Sequence, residues 1–425
     1  MSPIRTKLPA LIACAVAALA PTAFADTVIV RAGRMLDVDQ GVYLADRAIR
    51  IEDGRIASVT PWSSSSRSGN RFVDWSAYTA LPGLIDLHAQ LVGDISSAAR
   101  DALLGVEHAR ATLRADFTAV RDVGTYRAFV DVALRNAVNA RQVEGPCMFV
   151  AGAYVTAPGG GGEVTGMPGA LKVPGEMRRG VAASEAEVRQ RVRELLADGA
   201  DFIKVIATGA VFTSGTTPSM PEFSEQEIRA AVEEAARAGT FVIAHAHGAE
   251  GIKNAVRAGV RTIEHGSYLD DEGIALMVKH GTWLVADVYN GDYTEEVGTR
   301  DGRSEEILRK NRETTDIQRQ NFAKAVKAGV RIGFGTDSGI YPHGDNARQF
   351  AYMVKYGMTP LEAIRSATTS AAASLGRSQE LGSIAPGKFA NIIAVEGDPL
   401  EDIDRLRRMS GVIWKGRLVR LGDER

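Results

Sequence analysis

The chain has 425 residues, 45% of them hydrophobic and 24% charged, which is the composition of a globular protein large enough for one big domain and a smaller one. Its formal net charge of −2, with no long basic run, removes the electrostatic reason to expect nucleic acid or an acidic membrane surface as a partner. The 44 glycines fall largely in tight turns after short apolar runs, where backbone turns sharply or approaches a ligand.

The amino terminus, MSPIRTKLPALIACAVAALAPTAFAD, sets Arg5 and Lys7 ahead of an apolar run and Ala23-Phe24-Ala25 ahead of Asp26. That is the pattern of a secretory signal peptide over residues 1–25, so the protein is expected to be exported, periplasmic or secreted, after cleavage. The run is short and broken by Pro21, against a membrane span, and the mature chain is expected to carry none. Too few apolar residues precede LIAC for Cys14 to make a lipoprotein site. Without the leader, Cys147 is the one remaining cysteine, so stability has to come from packing rather than from an internal disulfide. Its setting, GPCMFVAGAYV, is that of a core residue.

VIVRAGRMLDV and RAIRIEDGRIASVTP follow with strand-like alternation, and SSSSRSG at 63–69 has the composition of a surface loop. The other end of the chain repeats the alternation in GSIAPGKFANIIAVEGDPL and GVIWKGRLVRL. EDGR and WKGR are hairpin turns. Strand edges need partners, so residues 26–81 and 381–425 are expected to pair into one small discontinuous β-sandwich domain.

Between these ends, over 82–380, eight short apolar runs alternate with helical patterns: GLIDLH, FTAVRDVG, GPCMFVAGAYV, ADFIKVIA, FVIAHAHG, RTIEHGS, TWLVADVYN and RIGFGTDSG. Ser184 with Glu187 and Ser224 with Glu227 are expected capping boxes, and Thr359, Pro360 and Glu362 start the helix LEAIRSATTSAAASLG. Eight alternations predict an α/β fold, a (β/α)8 TIM-like barrel.

In such a barrel the carboxyl ends of the strands share one mouth. The polar residues there are His88 and Gln90, Lys204, His245 and His247, His265, and Asp337. Four of the seven histidines thus fall at the ends of three strands, a concentration that packing does not account for. Two imidazoles two residues apart on a strand would grip one ion, yet Gln90 stands where the second would be after His88. Lys204, in DFIKVIA, would be costly as a buried ammonium unless neutralised or paired; carbamylation would make it an anionic oxygen donor able to bridge two divalent ions. Asp337 can bind a metal, activate its water and later return the proton to a leaving group.

Together, LPGLIDLHAQL, FTAVRDVG, GADFIKV, AHAHG, IEHG, GTDSG, MTPLEAIRSATTSAAASLG and LGSIAPGKFANIIAV resemble the metal-dependent amidohydrolase superfamily. More narrowly they resemble its imidazolonepropionase-related, prolidase-like branch, which contains dipeptidases, carboxypeptidase-like enzymes and ochratoxin-hydrolysing amidohydrolases. The resemblance covers nearly the whole mature chain. It implies one or two divalent ions, zinc first among them, with His88 and the Gln90 position at the more buried ion and His245 and His265 at the more exposed one. Carbamylated Lys204 would be the bridge, and Asp337 both ligand and general base. It further implies that His247 polarises a substrate carbonyl or holds a carboxylate, and it makes Tyr289 and His343 candidate substrate contacts. A homo-oligomer, up to an octamer, is implied in the same way. Asn391 departs from the aspartate of the family pattern, remote from the mouth. Gln90 departs within it, and an amide oxygen is a poorer zinc donor than imidazole.

The expected function is hydrolysis, by metal-activated water, of an amide in a small carboxylate-bearing substrate: a dipeptide, an N-acyl amino acid, or an ochratoxin A-like aryl amide of phenylalanine. One alternative is a cyclic amidase or heterocycle deaminase using the same ligands. Another is a non-catalytic periplasmic binding protein whose metal site is degraded at Gln90. TAPGGGGEVTG, after the third strand, is expected to wall the pocket; it lacks the context of a phosphate loop.

Overall fold

The computed structural model describes residues 27–67, 71–164, 173–408 and 410–421. The expected signal peptide, 1–25, lies outside the described residues, as does the end of the SSSSRSG loop. The chain begins with four strands, β1 (Val28–Asp37), β2 (Val42–Glu52), β3 (Arg55–Pro61) and β4 (Arg71–Pro82). β1 pairs antiparallel with β2 and parallel with β4, and β2 pairs with β3. The β2–β3 hairpin turns at Asp53 and Gly54, both with positive φ (49° and 77°), as a two-residue type I′ turn requires.

The barrel then runs β5 (Leu84–Ala89), α1 (Ala98–Arg114), β6 (Phe117–Asp122), α2 (Val130–Asn139), β7 (Cys147–Val150), β8 (Tyr154–Val155), α3 (Glu185–Ala197) and β9 (Ile203–Ile206). It continues α4 (Glu225–Arg237), β10 (Val242–Ala246), α5 (Ala249–Ala258), β11 (Thr262–His265), α6 (Asp271–His280), β12 (Trp283–Val285), α7 (Asn290–Val297), α8 (Glu305–Lys327) and β13 (Arg331–Ile332). Helices α9 (Arg348–Lys355), α10 (Pro360–Ser366) and α11 (Thr369–Ser374) complete it. Its strands pair in parallel, and β5, β9 and β10 are buried at every residue, as strands covered on both faces must be.

Each of the eight apolar runs contributes to the barrel. The third is broken: β7 pairs with β6 and β8 with β9, and the Asp201 amide donates to Val150 O (2.8 Å) across the break. The barrel closes between the first and eighth runs through Leu87 N to Phe334 O (2.9 Å) and Asp337 N to His88 O (2.7 Å). The eighth wall therefore extends past β13 as irregular backbone, and this irregular stretch carries Asp337.

Three helix details refine the expectations. Ser224 with Glu227 and Thr359 with Glu362 form full capping boxes. Ser184 caps α3 by accepting the Glu187 amide, but the Glu187 carboxylate takes the amide of Ala183 instead, so that box is only half made. The helix expected over LEAIRSATTSAAASLG is two, α10 and α11. Between them the carbonyls of Ser366 and Ala367 accept the amides of Phe334 (3.0 Å) and Ile85 (2.8 Å), a demand from the barrel floor that one continuous helix would not meet.

The chain ends with β14 (Ile392–Val395), β15 (Gly411–Trp414) and β16 (Arg417–Leu421). β14 pairs with β4, so both chain ends join one seven-stranded sheet, ordered β16-β15-β14-β4-β1-β2-β3. Lys415 and Gly416 (φ 46° and 76°) make the second type I′ turn. The sheet curls until the start of β3 meets the approach to β14: Ile56 N donates to Lys388 O (2.9 Å) and Ala390 N to Gly54 O (2.9 Å). The sandwich thus arises by folding one sheet over an apolar filling that includes Val30, Ile49, Ile51, Trp75, Ile392 and Ile413. Asn391 lies in this region, its Oδ1 accepting the Lys415 amide (2.9 Å). Cys147 is a buried free thiol, pushed up by burial.

Candidate metal centre and active site

Strands β5, β9, β10 and β11 and the backbone beyond β13 bring His88, Gln90, Lys204, His245, His247, His265 and Asp337 to one cavity at the carboxyl mouth of the barrel. Gly161 and Gly162, from the glycine-rich stretch, line it as well, held by the Glu222 carboxylate accepting the Gly161 amide (2.8 Å). Two expected substrate contacts do not reach it. His343 stacks on His108 with ring centroids 4.3 Å apart and lies beside Thr112, behind the first strand. Tyr289 packs its ring on Tyr341 and Tyr352, and its neighbours Asn290 and Gly291 line the cavity instead, because α7 starts at that point and turns 289 away.

Each of the four inward histidines is held at one ring nitrogen. His88 Nδ1 lies 2.8 Å from Glu264 Oε2, His265 Nδ1 2.9 Å from Asp287 Oδ1, and His247 Nδ1 2.8 Å from Ser267 Oγ. His245 is held through Nε2, 3.3 Å from Gly209 O, so its Nδ1 is the free nitrogen. Carboxylates and a carbonyl only accept, so the held nitrogens of His88, His265 and His245 carry the proton and the opposite nitrogens offer lone pairs, the arrangement of metal-ligating imidazoles. Candidate donor atoms of His245, His247 and His265 lie within 4.8 Å of one another, as do those of His88, His265 and Asp337. Burial, reinforced by His265, pushes His245 and His247 well below the ordinary histidine range, which keeps both neutral.

This donor set fits a divalent cation. His88 Nε2 stands 3.2 Å from Asp337 Oδ1, two acceptors that need a proton or a cation between them. Burial and Lys204 oppose a proton on His88, but the Asp337 and Glu264 carboxylates outweigh them and hold it up to about 9. Lys204 is buried, its Nζ without a hydrogen-bond partner among the described residues, and burial lowers it to about 8. Asp337 is steadied from both sides: Gln90 Nε2 donates to Oδ1 (2.9 Å) and Asn290 Nδ2 to Oδ2 (3.2 Å). Gln90 therefore faces the cluster with its donor end already committed to a carboxylate.

Behind the cluster lie charged residues that the sequence reading passed over. Arg121, fully buried, donates to Glu264 Oε1 (2.7 Å), Leu87 O (2.6 Å) and Thr262 Oγ1 (3.2 Å). Despite its burial, Glu264 is held below the usual carboxylate range by Arg121 and His88, and Asp287 likewise by His265. The available signal was a charge inside an otherwise apolar strand: the arginine of FTAVRDVG, the glutamate of RTIEHGS and the aspartate of TWLVADVYN. His265 and Asp337 also adopt positive φ (69° and 55°), unusual for non-glycine residues and a feature that clusters at functional sites.

Convergent imidazoles, a carboxylate and a buried lysine at the carboxyl mouth of a (β/α)8 barrel define the class of barrel metallohydrolases. The chain belongs to the amidohydrolase family, whose model matches residues 79–419. It is 33% identical over 437 aligned residues to the ochratoxinase of Aspergillus niger, covering 94% of this chain and 87% of that protein. The crystal structure of A. niger ochratoxinase matches with a TM-score of 0.81 at 28% identity, over 94% of this chain and 98% of that one. A Xaa-Pro dipeptidase with methionine bound in its active site matches with a TM-score of 0.87 at 35% identity, over 92% and 99% of the two chains. The protein is thus a hydrolase acting on C–N bonds, in the prolidase-like branch of a metal-dependent superfamily. The reading as a binding protein without catalysis falls with that result.

Proposed function

We propose that this protein hydrolyses the amide bond of a small carboxylate-bearing substrate, a dipeptide, an N-acyl amino acid or an aryl amide of phenylalanine. The observation that carries the reading is the convergence of His88, Lys204, His245, His265 and Asp337 on one cavity, with His88, His245 and His265 each fixed so that a lone pair faces inward. The similarity to an ochratoxinase and to a Xaa-Pro dipeptidase supports the substrate classes.

In this reading His88, Asp337, His245 and His265 would hold one or two divalent ions, zinc by preference, and Lys204, once carbamylated, would add an anionic oxygen ligand. When bound, the metal supplies Lewis acidity toward water and toward the scissile carbonyl. The residues of the chain do the rest. The neutral Lys204 amine, favoured by burial, attacks carbon dioxide, forming the N–C bond and releasing a proton, and so exchanges a costly buried cation for an anionic ligand. Asp337 accepts the proton of the attacking water and returns it to the departing amine. His247, held at Nδ1 by Ser267, presents Nε2 to the substrate carbonyl oxygen. Arg121 and Glu264 keep His88 aimed.

Among the described residues no helix is long and apolar enough to cross a membrane. Export with cleavage near Asp26 and assembly into a homo-oligomer belong to the same proposal. Mass analysis of the periplasmic protein and light scattering test them. The activity is tested by incubating the purified protein with dipeptides, N-acyl amino acids and ochratoxin A, with and without added zinc. Release of a free amino acid supports the reading, whereas ammonia or an opened ring as product would replace it with the deaminase or cyclic amidase alternative.

A further inference from the structure

Helix α8 turns an unusual face to the cavity. Asn311, Thr314, Thr315 and Gln318 all line it, at the i, i+3, i+4, i+7 spacing by which a helix ordinarily buries apolar residues. Here the stripe is polar and uncharged, and its hydrogen bonding is one-sided. Asn311 Nδ2 donates to Gly291 O (2.9 Å), and Gln318 Nε2 donates to His265 O (3.1 Å) and Asp287 Oδ1 (2.9 Å). These partners only accept, so both amide orientations follow from the network. Thr314 Oγ1 donates to Lys310 O (2.8 Å) and Thr315 Oγ1 to Asn311 O (2.7 Å), so both hydroxyl protons are spent on the helix itself.

Apart from the second N–H of Asn311, what remains toward the cavity is acceptor. Asn311 Oδ1 and Gln318 Oε1 have no hydrogen-bond partner among the described residues, and neither is sealed in protein. The threonine oxygens keep lone pairs. A carboxylate placed against this wall would meet four oxygen atoms and at most the second N–H of Asn311 Nδ2, whereas an ammonium would find several acceptors together. The wall is also close to the chemistry, since Gln318 touches both the backbone of His265 and the carboxylate that holds its ring. In a dipeptide the free α-amino group is two bonds from the scissile carbonyl.

We propose that the cavity face of α8 is a subsite for the α-ammonium group of the substrate, so that this enzyme prefers unblocked dipeptides to N-acyl amino acids. The proposal rests on the amide-hydrolase reading and narrows its substrate class. Asn311 and Thr315 are its specificity-determining residues.

Alanyl-phenylalanine and propionyl-phenylalanine test it, because they share the scissile amide and the leaving group and differ only in the amino group. At pH 7 the zinc-loaded protein should process the alanyl compound with a kcat/KM about tenfold higher, mainly through KM, as expected for a charged hydrogen bond. That ratio should fall toward one in Asn311→Leu and in the isosteric Thr315→Val, the second variant guarding against a folding defect in the first. A ratio of one or less in the native protein, or an unchanged ratio in both variants, would overturn the proposal. If neither compound is cleaved, the amide reading itself fails. Calorimetric binding of the same two compounds then decides the wall, with tighter alanyl binding supporting it and equal binding overturning it.

Discussion

The seven-stranded sheet and the barrel both bury β-strands, but they fill the buried space with opposite chemistry. Inside the curled sheet the enclosed side chains are apolar, with Trp75, Ile49 and Ile413 among them. At the mouth of the barrel, Arg121, Lys204, Glu264, Asp287, Asp337 and four histidines are buried together. Both regions also use left-handed backbone. In the sheet it falls at Asp53 and Lys415, in two-residue turns that require it, while in the barrel it falls at His265 and Asp337, which the site requires. The difference teaches where stability is made and where it is given up. A buried charge stabilises only when its partners are complete, so the barrel mouth is held by its network and is fragile to the loss of any member.

The largest effect should come from breaking that network behind the histidines. Arg121→Met leaves Glu264 buried without its partner and should cost about 3–5 kcal/mol. Chemical denaturation measures it, and a loss under 1 kcal/mol would mean that the pair is no pillar of the mouth. Next, Lys204→Ala should lower bound metal and reduce turnover by more than about 100-fold, with partial rescue by short carboxylic acids. Full metal content with normal turnover would remove the bridging role.

Gln90→His sharpens the comparison in the opposite direction. The new imidazole replaces an amide that is committed to Asp337, so metal affinity and turnover of the amide substrate should rise by about tenfold. If metal analysis shows no gain, Gln90 is a positioning residue for Asp337 rather than a weakened ligand. The smallest effect belongs to the sheet. Gly416→Ala places a Cβ at positive φ and 2.9 Å from the Gly54 Cα, costing about 1–2 kcal/mol with no change in kcat, since the cavity lies elsewhere. A fall in kcat in this variant would show that the two regions are coupled.

The sequence alone determined the alternation of eight apolar runs with helices, the pairing of both chain ends and the candidate metal cluster. Those features rest on local periodicity, turn chemistry and residue type at strand ends, all of which are written along the chain. EDGR and WKGR formed the turns expected of them, and His88, Lys204, His245, His265 and Asp337 reached one cavity because strand ends in a barrel share a mouth. Only the tertiary structure decided what depends on distant partners. It broke the third strand at Val150, split the helix after Ser366 to serve the barrel floor, and turned Tyr289 and His343 away from the cavity. It also joined Arg121 to Glu264 and Gln90 to Asp337, contacts spanning 143 and 247 residues. Hydrogen bonds of that reach leave no periodic trace, because their geometry exists only once the barrel has closed.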